Sequence, residues 1–239
     1  MVATINISPN DDKLPAKCAK YSEAFTTAKV AMEQAIEMLN ASDFDSKASW
    51  KLDCKSDEAT VHYKDLPDGR YFAGRTKLGI SAKDAINHFY NDVETAHEWN
   101  ENIKSGKKLH KLTDNIDIVK MSNNDILIIK SRDFLAARCI REYKEGCWIL
   151  AARSVELEEM PETKDAVRAF VHLGMSRAVP DPEDPEHSCI FDNVANMDLK
   201  GMLFRSVVNQ VTGRIVLKDL EIIRNHCTNV LRKKLYTNV

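Results

Sequence analysis

Long amphipathic helices are predicted near the two ends of this chain, and the strands between them do not alternate with helices. From Leu14 to Asn40, apolar residues recur at three- and four-residue spacing on one helix face. After Gly201 a helical pattern returns and continues to about Leu235. A parallel doubly wound sheet needs strand–helix–strand alternation, so this order disfavours it.

The segment between the two long helices is predicted to consist mainly of short strands. Three strands are expected at Ser49–Lys55, Ala59–Lys64 and Arg70–Leu78, followed by two short helices near Lys83–Tyr90 and Val93–Trp99. Beyond these, further strands are expected near 107–113, 116–121, 126–129, 133–143, 147–157, 166–177 and 188–198. This spacing is typical of an antiparallel sheet, and a curved sheet folded around one helix can enclose a cavity.

Composition supports one folded domain and gives no general attraction to nucleic acid. The chain has 239 residues, of which 44% are hydrophobic and 29% charged. We expect a flexible segment at residues 1–13 and a single domain at 14–239. Lysine and arginine number 34 against 36 aspartate and glutamate, which gives a net charge of -2. No nucleic-acid partner is therefore expected.

The cysteines and the amino-terminal residues favour a cytoplasmic protein. Six cysteines are spread along the chain without a CxxC pair, so free thiols in a reducing compartment are expected. The first residues lack the basic and apolar regions of a secretory signal. No apolar run approaches the roughly 18 residues of a membrane span.

Motifs for metal binding and for common enzyme chemistry were not found. The seven histidines never occur as HxxxH or HxH, so no metal site is expected. The sequence contains neither GxSxG nor HExxH, and its eight glycines form no GxGxxG motif or phosphate-binding loop. We therefore expect a protein that is not an enzyme.

Two arginines on one predicted strand have distinct expected roles. Arg132 and Asp133 stand at the strand start and are predicted to form a structural ion pair that fixes a loop to the strand end. Arg138 lies further along, and a strand period of two places it on one face with Ala136 and Ile140. From the residues alone, Arg138 could be interior and paired, or solvated on an outer face.

Several motifs together resemble the START lipid-transfer domain. The resemblance rests on Glu98–Lys104, Ser131–Phe134, Met160–Glu162 with Val167–Ala169, and Met197–Gly201, and it continues through Val207–Val211 and Leu231–Leu235. It covers roughly residues 20–236 in consistent order. The sequence is most similar to the subgroup of the steroidogenic acute regulatory protein and its late-endosomal cholesterol-binding relative.

The resemblance implies an α+β helix-grip fold: an amino-terminal helix and a curved nine-stranded antiparallel sheet, closed by a long carboxy-terminal helix over an internal lipid tunnel. It also implies that the protein binds one lipid and transfers it between membranes without catalysis. Arg138 matches an internal arginine of the cholesterol-binding subgroup, whose acidic partner falls here at Val119 by spacing. Asp117 lies two residues away and would restore the pair if the register slipped.

The expected tunnel lining comes from strand alternation and from the resemblance. It comprises Val119, Met121, Ala136, Arg138, Leu150, Ala152, Phe170, His172, Phe191, Asn193, Phe204, Val208 and Val211. The expected gate is the last helix together with the loop that contains Ile126, Leu127, Ile128 and Ile129. This apolar run is interpreted either as a membrane-touching lid or as a short buried strand.

The main hypothesis is a cytoplasmic sterol-class carrier, peripheral at membranes and monomeric, whose only bound group is the lipid. A carotenoid is the alternative ligand, because Arg138 would lack a counter-charge and Asn193 replaces an aromatic residue of the subgroup. Phospholipid is third. From other classes we retain an enzyme on the same scaffold and an interaction module that senses lipid occupancy.

Overall fold

The structure consists of one large sheet with helices on both faces. It is a computed structural model that describes residues 12–127, 129–163, 166–201 and 205–236. The α-helices are α1 Ser22–Asn40, α2 Ala82–Asn91, α3 Arg205–Asn225 and α4 Arg232–Tyr236. The strands are β1 Lys51–Lys55, β2 Ala59–Leu66, β3 Gly69–Leu78, β4 Ile103–Lys111, β5 Ile116–Asn123, β6 Arg132–Lys144, β7 Cys147–Ser154, β8 Val167–Arg168, β9 Phe170–Pro180 and β10 Cys189–Asp198.

Nine of these strands form a continuous antiparallel sheet in the order β1-β2-β3-β10-β9-β7-β6-β5-β4. The two-residue β8 lies off this path and pairs in parallel with the start of β6. The fold is the helix-grip fold that the resemblance implies, with a curved nine-stranded sheet, an amino-terminal helix and a carboxy-terminal helix. Hairpins link most neighbouring strands, so the antiparallel prediction is confirmed.

Helix α1 covers one face of the sheet, which we call the α1 face. A short 3-10 segment, Ala16–Tyr21, precedes α1 within the predicted helix of residues 14–40. The apolar stripe of α1 is buried and packs on β5, β6, β7 and β9. Sheet residues facing it are almost fully buried; they include Ile116, Ile118, Leu135, Ala137, Ile149, Ala151, Leu173 and Met175. The α1 face is thus a solid core.

Helix α2 covers part of the opposite face, which we call the inner face. It begins after Ser81, whose hydroxyl accepts a hydrogen bond from the backbone N–H of Asp84, as an N-cap residue should. Its apolar side packs on β7, β9 and β10. The second short helix predicted near residues 93–99 is only a three-residue 3-10 turn, Ala96–Glu98.

The carboxy-terminal helix, residues 205–236, lies over the other part of the inner face. It consists of α3, a π-helical segment at His226–Leu231, and α4. Helix α3 packs on β1, β2 and β3, where Gly74 permits close approach. A Cβ atom at Gly74 would lie 2.4 Å from Leu220 Cδ1. The predicted long terminal helix is therefore confirmed. Helix α3 packs on the three strands at one edge of the sheet.

The structure corrects one predicted strand and agrees with the thiol prediction. The described residues of the run 126–129 do not form a strand, since Ile126 and Ile129 meet only in an isolated bridge. All six cysteines are free thiols. Within the described parts of the chain, no helix is both long and apolar enough to cross a membrane.

Candidate functional site

The predicted lining residues of the strands share the inner face. Cross-strand partners fix this arrangement: Val119 lies opposite Ala136 and Arg138 lies opposite Ala152. The neighbours that alternate with them point to the α1 face instead. The members that the register and alternation place on the inner face are Val119, Met121, Ala136, Arg138, Leu150, Ala152, Phe170, His172, Phe191 and Asn193.

The middle of the inner face is lined by small side chains that remain partly accessible. Ala152, Gly174, Ser176 and Ala195 are only half-buried there. Apart from Arg153, the residues that alternate with them on the α1 face are buried, and Ala151 has 0% of its surface exposed. The middle of the inner face is therefore not closely packed by other side chains, because close packing would remove that accessible area. This part of the inner face is the candidate ligand site.

One end of the inner face is closed by packed apolar side chains. Phe191 is fully buried, and its ring lies 5.3 Å from that of Phe89 on α2. Leu150 belongs to the same cluster. These two predicted lining residues therefore form the packed end of the site. Val208 and Val211 are half-buried on α3, and Phe204 lies outside the described residues.

Arg138 is buried and paired with Asp117, not left unpaired opposite Val119 as the spacing suggested. Its Nε donates to Asp117 Oδ1 at 2.9 Å, and its Nη2 donates to Asp117 Oδ2 at 2.6 Å. The two residues stand directly opposite each other on β5 and β6. They are 5% and 2% exposed, so solvent does not compensate either charge. The register therefore follows the two-residue slip, and the counter-charge is present.

Nearly all of the hydrogen-bonding capacity of Arg138 is already used. Besides Asp117, its Nη1 donates to Phe89 O at 3.1 Å and its Nη2 donates to Tyr90 O at 2.8 Å. Guanidinium carries five N–H donors, and four are engaged, so one N–H on Nη1 remains. The cation also lies at the carboxy-terminal end of α2, where the helix dipole favours positive charge. Arg138 thus fixes α2 to the sheet and can offer one hydrogen bond to a ligand.

Arg132 and Asp133 do not form the predicted ion pair with each other. Asp133 binds Arg168 on β8 through two hydrogen bonds of 2.8 and 3.0 Å. Arg132 instead donates to Leu199 O at 2.7 Å and to Lys200 O at 3.3 Å. Neighbouring strand residues point to opposite sides, so each finds its own partner. The predicted role is retained in another form, because Arg132 ties β6 to the turn before the carboxy-terminal helix.

Among its described residues, the predicted gate segment exposes Leu127 at the end of the molecule where β5 ends and β6 begins. Leu127 is 67% exposed and has a φ of 53°, at the tip of the turn. Ile129 is buried, Ile126 is half-buried, and Ile128 lies outside the described residues. The segment is therefore not the short buried strand of the second interpretation, and it has a buried residue at its base and an exposed apolar residue at its tip.

A small cavity of about 200 Å³ opens at the same end of the sheet. Its lining includes Ser154, Met160, Arg168, Phe170 and Lys200. The Phe170 ring also contacts the His172 ring, with centroids 5.0 Å apart. Ligand pockets usually measure about 300–1,000 Å³, so this cavity is too small to hold a whole lipid.

Three hydrogen-bonding partners of the predicted residues were not identified from the sequence. Two are the backbone carbonyl groups of Phe89 and Tyr90, which accept from Arg138; the sequence cannot indicate them, because every residue type has a backbone carbonyl. Arg168, the partner of Asp133, could have been suspected as a second arginine within an apolar strand pattern. In the parts of the chain that the structure describes, no cluster of three or more metal-ligating side chains occurs.

Comparisons with known proteins agree with this geometry. The family model described as "START domain" matches residues 31–233. The steroidogenic acute regulatory-like protein 1 of Caenorhabditis elegans is 36% identical over 225 residues, which cover 93% of this chain and 86% of that protein. The steroidogenic acute regulatory protein of Xenopus laevis is 27% identical over 203 residues, covering 83% and 69% respectively.

A solved structure shows the same fold at lower sequence identity. Human StAR-related lipid transfer protein 5 superposes with a TM-score of 0.74 and 18% identity, covering 87% of this chain and 97% of that chain. The matching family model spans most of the sequence, and the worm relative exceeds 30% identity over nearly the whole chain. This chain therefore belongs to the START domain family.

Proposed function

We propose that this protein binds one sterol-class lipid in the space on its inner face and transfers it between membranes. The observation that carries this proposal is the buried Arg138–Asp117 pair at the border of an accessible face lined by small side chains. Apolar surface supplies affinity when it is removed from water. The remaining N–H of Arg138 can orient a single polar group at the closed end.

Relatives with known names support a lipid-transfer activity. One solved START structure is named for lipid transfer, and several relatives at 26–36% identity are named for steroidogenic regulation. We extend lipid transfer to this chain because it belongs to the START family and because its inner face carries an accessible surface of small side chains. The extension from lipid to sterol rests on the paired Arg138 and on the likeness to the steroidogenic group.

The gate for lipid exchange is proposed at the end of the molecule that carries Leu127. An exposed leucine at a turn tip can enter the membrane interface, where burial of apolar surface favours binding. Arg132 links this loop to the turn before the carboxy-terminal helix, through Lys130 O at 2.8 Å and Leu199 O at 2.7 Å. Membrane contact at Leu127 would therefore act on this loop and on the turn before the carboxy-terminal helix.

The carotenoid alternative loses its first argument, because Arg138 has its counter-charge. Its second argument also weakens, since Asn193 Nδ2 lies 3.4 Å from Ser176 Oγ and is partly satisfied within the sheet. We further propose that the activity is non-enzymatic and that residues 14–239 act as one domain, monomeric and peripheral at membranes in the cytoplasm. Residues 1–11 lie outside the described part of the chain.

The proposal is tested with an intrinsically fluorescent sterol. Wild-type protein should bind it at one per chain and should accelerate its movement between liposomes. Ala152→Leu fills the accessible face and should weaken sterol binding at least tenfold without lowering the melting temperature by more than a few degrees. Ala41→Leu makes the same chemical change at an exposed site and should bind as wild type.

Two results would overturn the sterol proposal. One is saturable binding of phospholipid or carotenoid by wild-type protein without sterol binding. The other is unchanged sterol affinity in Ala152→Leu, since a ligand on the inner face must contact that position. A structured visible absorbance band in the purified protein would favour the carotenoid.

A further inference from the structure

A second polar group of the inner face lies away from Arg138 and has unused hydrogen-bonding capacity. Asn193 on β10 stands directly opposite Ser176 on β9, and Asn193 Nδ2 donates to Ser176 Oγ at 3.4 Å. Neither side chain makes another hydrogen bond with the described residues. The carbonyl oxygen and the second N–H of the Asn193 side chain are therefore available, as is the hydroxyl hydrogen of Ser176.

This polar pair is accessible although it lies on central strands. Three strands stand between β10 and one edge of the sheet, and four stand between β9 and the other edge. Both residues are nevertheless only half-buried. Asp192 and Val194, the neighbours of Asn193 that point to the α1 face, are 0% and 1% exposed. The accessible surface of Asn193 and Ser176 therefore belongs to the inner face, which is the candidate ligand site.

The separation of Asn193 from Arg138 matches the length of a sterol. Successive cross-strand partners lead from Arg138 to β10; they are Ala152, Gly174 and Ala195. Asn193 lies two residues from the last of these along β10. Three strand spacings and two residues along a strand separate the backbones of Arg138 and Asn193 by about 16 Å. A sterol extends over a similar length from its ring hydroxyl to the end of its side chain.

We propose that Asn193 and Ser176 select lipids that carry a second hydroxyl group, at the end remote from the one near Arg138. The inference rests on the proposed function and narrows its ligand to sterols hydroxylated on the side chain. A hydroxyl group both donates and accepts, and Asn193 offers an acceptor oxygen together with a spare N–H. A hydrocarbon end would displace water from these groups without replacing its hydrogen bonds, which lowers affinity.

The test measures competition of unlabelled sterols with an intrinsically fluorescent sterol. Wild-type protein should bind 25-hydroxycholesterol on the order of tenfold more tightly than cholesterol, as expected for one or two added hydrogen bonds. The matched ligand is 7β-hydroxycholesterol, which carries its additional hydroxyl group on the ring system and should show no such gain. An equal gain for both hydroxylated sterols would overturn the inference, because the position of the group would then be irrelevant.

Two variants test whether the polar pair is the source of the preference. Asn193→Val removes the amide and keeps a residue that strands favour, and Ser176→Ala removes the hydroxyl group. Both should reduce the preference for 25-hydroxycholesterol, Asn193→Val more strongly, and both should still bind cholesterol. Asn229→Val makes the same change as Asn193→Val at an exposed position of the carboxy-terminal helix and should keep the wild-type preference.

Melting curves show which variants retain the fold, and the smaller change Ser176→Ala decides the outcome should Asn193→Val unfold. An undiminished preference in the folded variants would overturn the inference and leave the proposed function standing. Equal binding of cholesterol and 25-hydroxycholesterol by wild-type protein would do the same. Failure of wild-type protein to bind any of these sterols would overturn both.

Discussion

Removal of the Asp117 carboxylate should destabilise the protein strongly, because Arg138 would remain as an uncompensated buried cation. Breaking a buried ion pair from one side typically costs about 3–5 kcal/mol. The two carbonyl groups of Phe89 and Tyr90 would still accept from Arg138, but neither carries a full charge. In a domain of this size each kcal/mol lowers the melting temperature by about 2–4 °C, so Asp117→Ala should lower it by roughly 6–20 °C.

Thermal unfolding, followed by circular dichroism, measures this shift directly. The matched control is Asp114→Ala, which removes the carboxylate of an exposed pair with Lys111 whose side chains are 91% and 70% exposed. Exposed pairs contribute up to about 1 kcal/mol, so the control should change little. The double variant Asp117→Val with Arg138→Met should recover much of the loss, because apolar replacement of both partners removes the unpaired charge.

The reasoning would be refuted if Asp117→Ala lowered the melting temperature no more than Asp114→Ala. Such equality would mean that water or relaxation compensates Arg138 as well as Asp117 does. It would also contradict the claim that this pair fixes α2 to the sheet at the closed end of the site.

Three further predictions concern packing, membrane contact and pH. Gly74→Ala should cost about 1–3 kcal/mol in chemical denaturation because it crowds the carboxy-terminal helix, whereas Gly174→Ala, with its nearest contact at 3.5 Å, should be tolerated. Leu127→Glu should reduce co-sedimentation with liposomes, while Leu52→Glu, also at an exposed leucine, should not; equal binding of both would contradict the gate. Burial lowers the pKa of His226 to about 4, so the unfolded chain binds the extra proton and stability should fall as pH drops from about 6.5 to 4. In His226→Gln the free energy of unfolding should depend less on pH over this range. A pH profile of stability identical to that of wild type would contradict the assignment to His226.

The fold could be predicted well because its periodicities are strong. The stripe of α1, the N-cap at Ser81 and the two-residue alternation of β5 to β10 are all local signals. The strand predicted at residues 126–129 was wrong because a short apolar run is compatible with a strand and with a turn. Only its tertiary position, with Ile129 anchored and Leu127 exposed, decides the outcome.

The sequence allowed us to predict which strand residues share the inner face, but not which residues they contact. Alternation correctly grouped the strand residues around Arg138, yet its partner was placed at Val119 by counting through a loop. Register across a hairpin depends on that loop's geometry, and a shift of two residues preserves the face while changing the partner to Asp117. The separate partners of Arg132 and Asp133 could have been anticipated, because adjacent strand residues point apart.

The polar contacts of Asp219 on α3 could not be predicted, because helical periodicity describes the apolar stripe of the helix and not the residues beside it. An acidic residue adjacent to buried Leu220 is normal on a solvated helix edge, so the sequence alone gives no warning. In the fold, the Asp219 carboxylate accepts hydrogen bonds from Asn100 and Asn102, which lie in the loop before β4. Such contacts join segments that are distant in the chain, so no local sequence signal predicts them.

The most direct test of a lipid-carrying inner face is identification of what the purified protein contains. Native mass spectrometry gives the mass and stoichiometry of any bound molecule, and organic extraction followed by mass spectrometry identifies it. The account predicts a hydroxylated sterol at no more than one per chain, displaced by an added fluorescent sterol. A phospholipid or polyene in its place, or protein that stays empty when incubated with sterol-loaded liposomes, would contradict it.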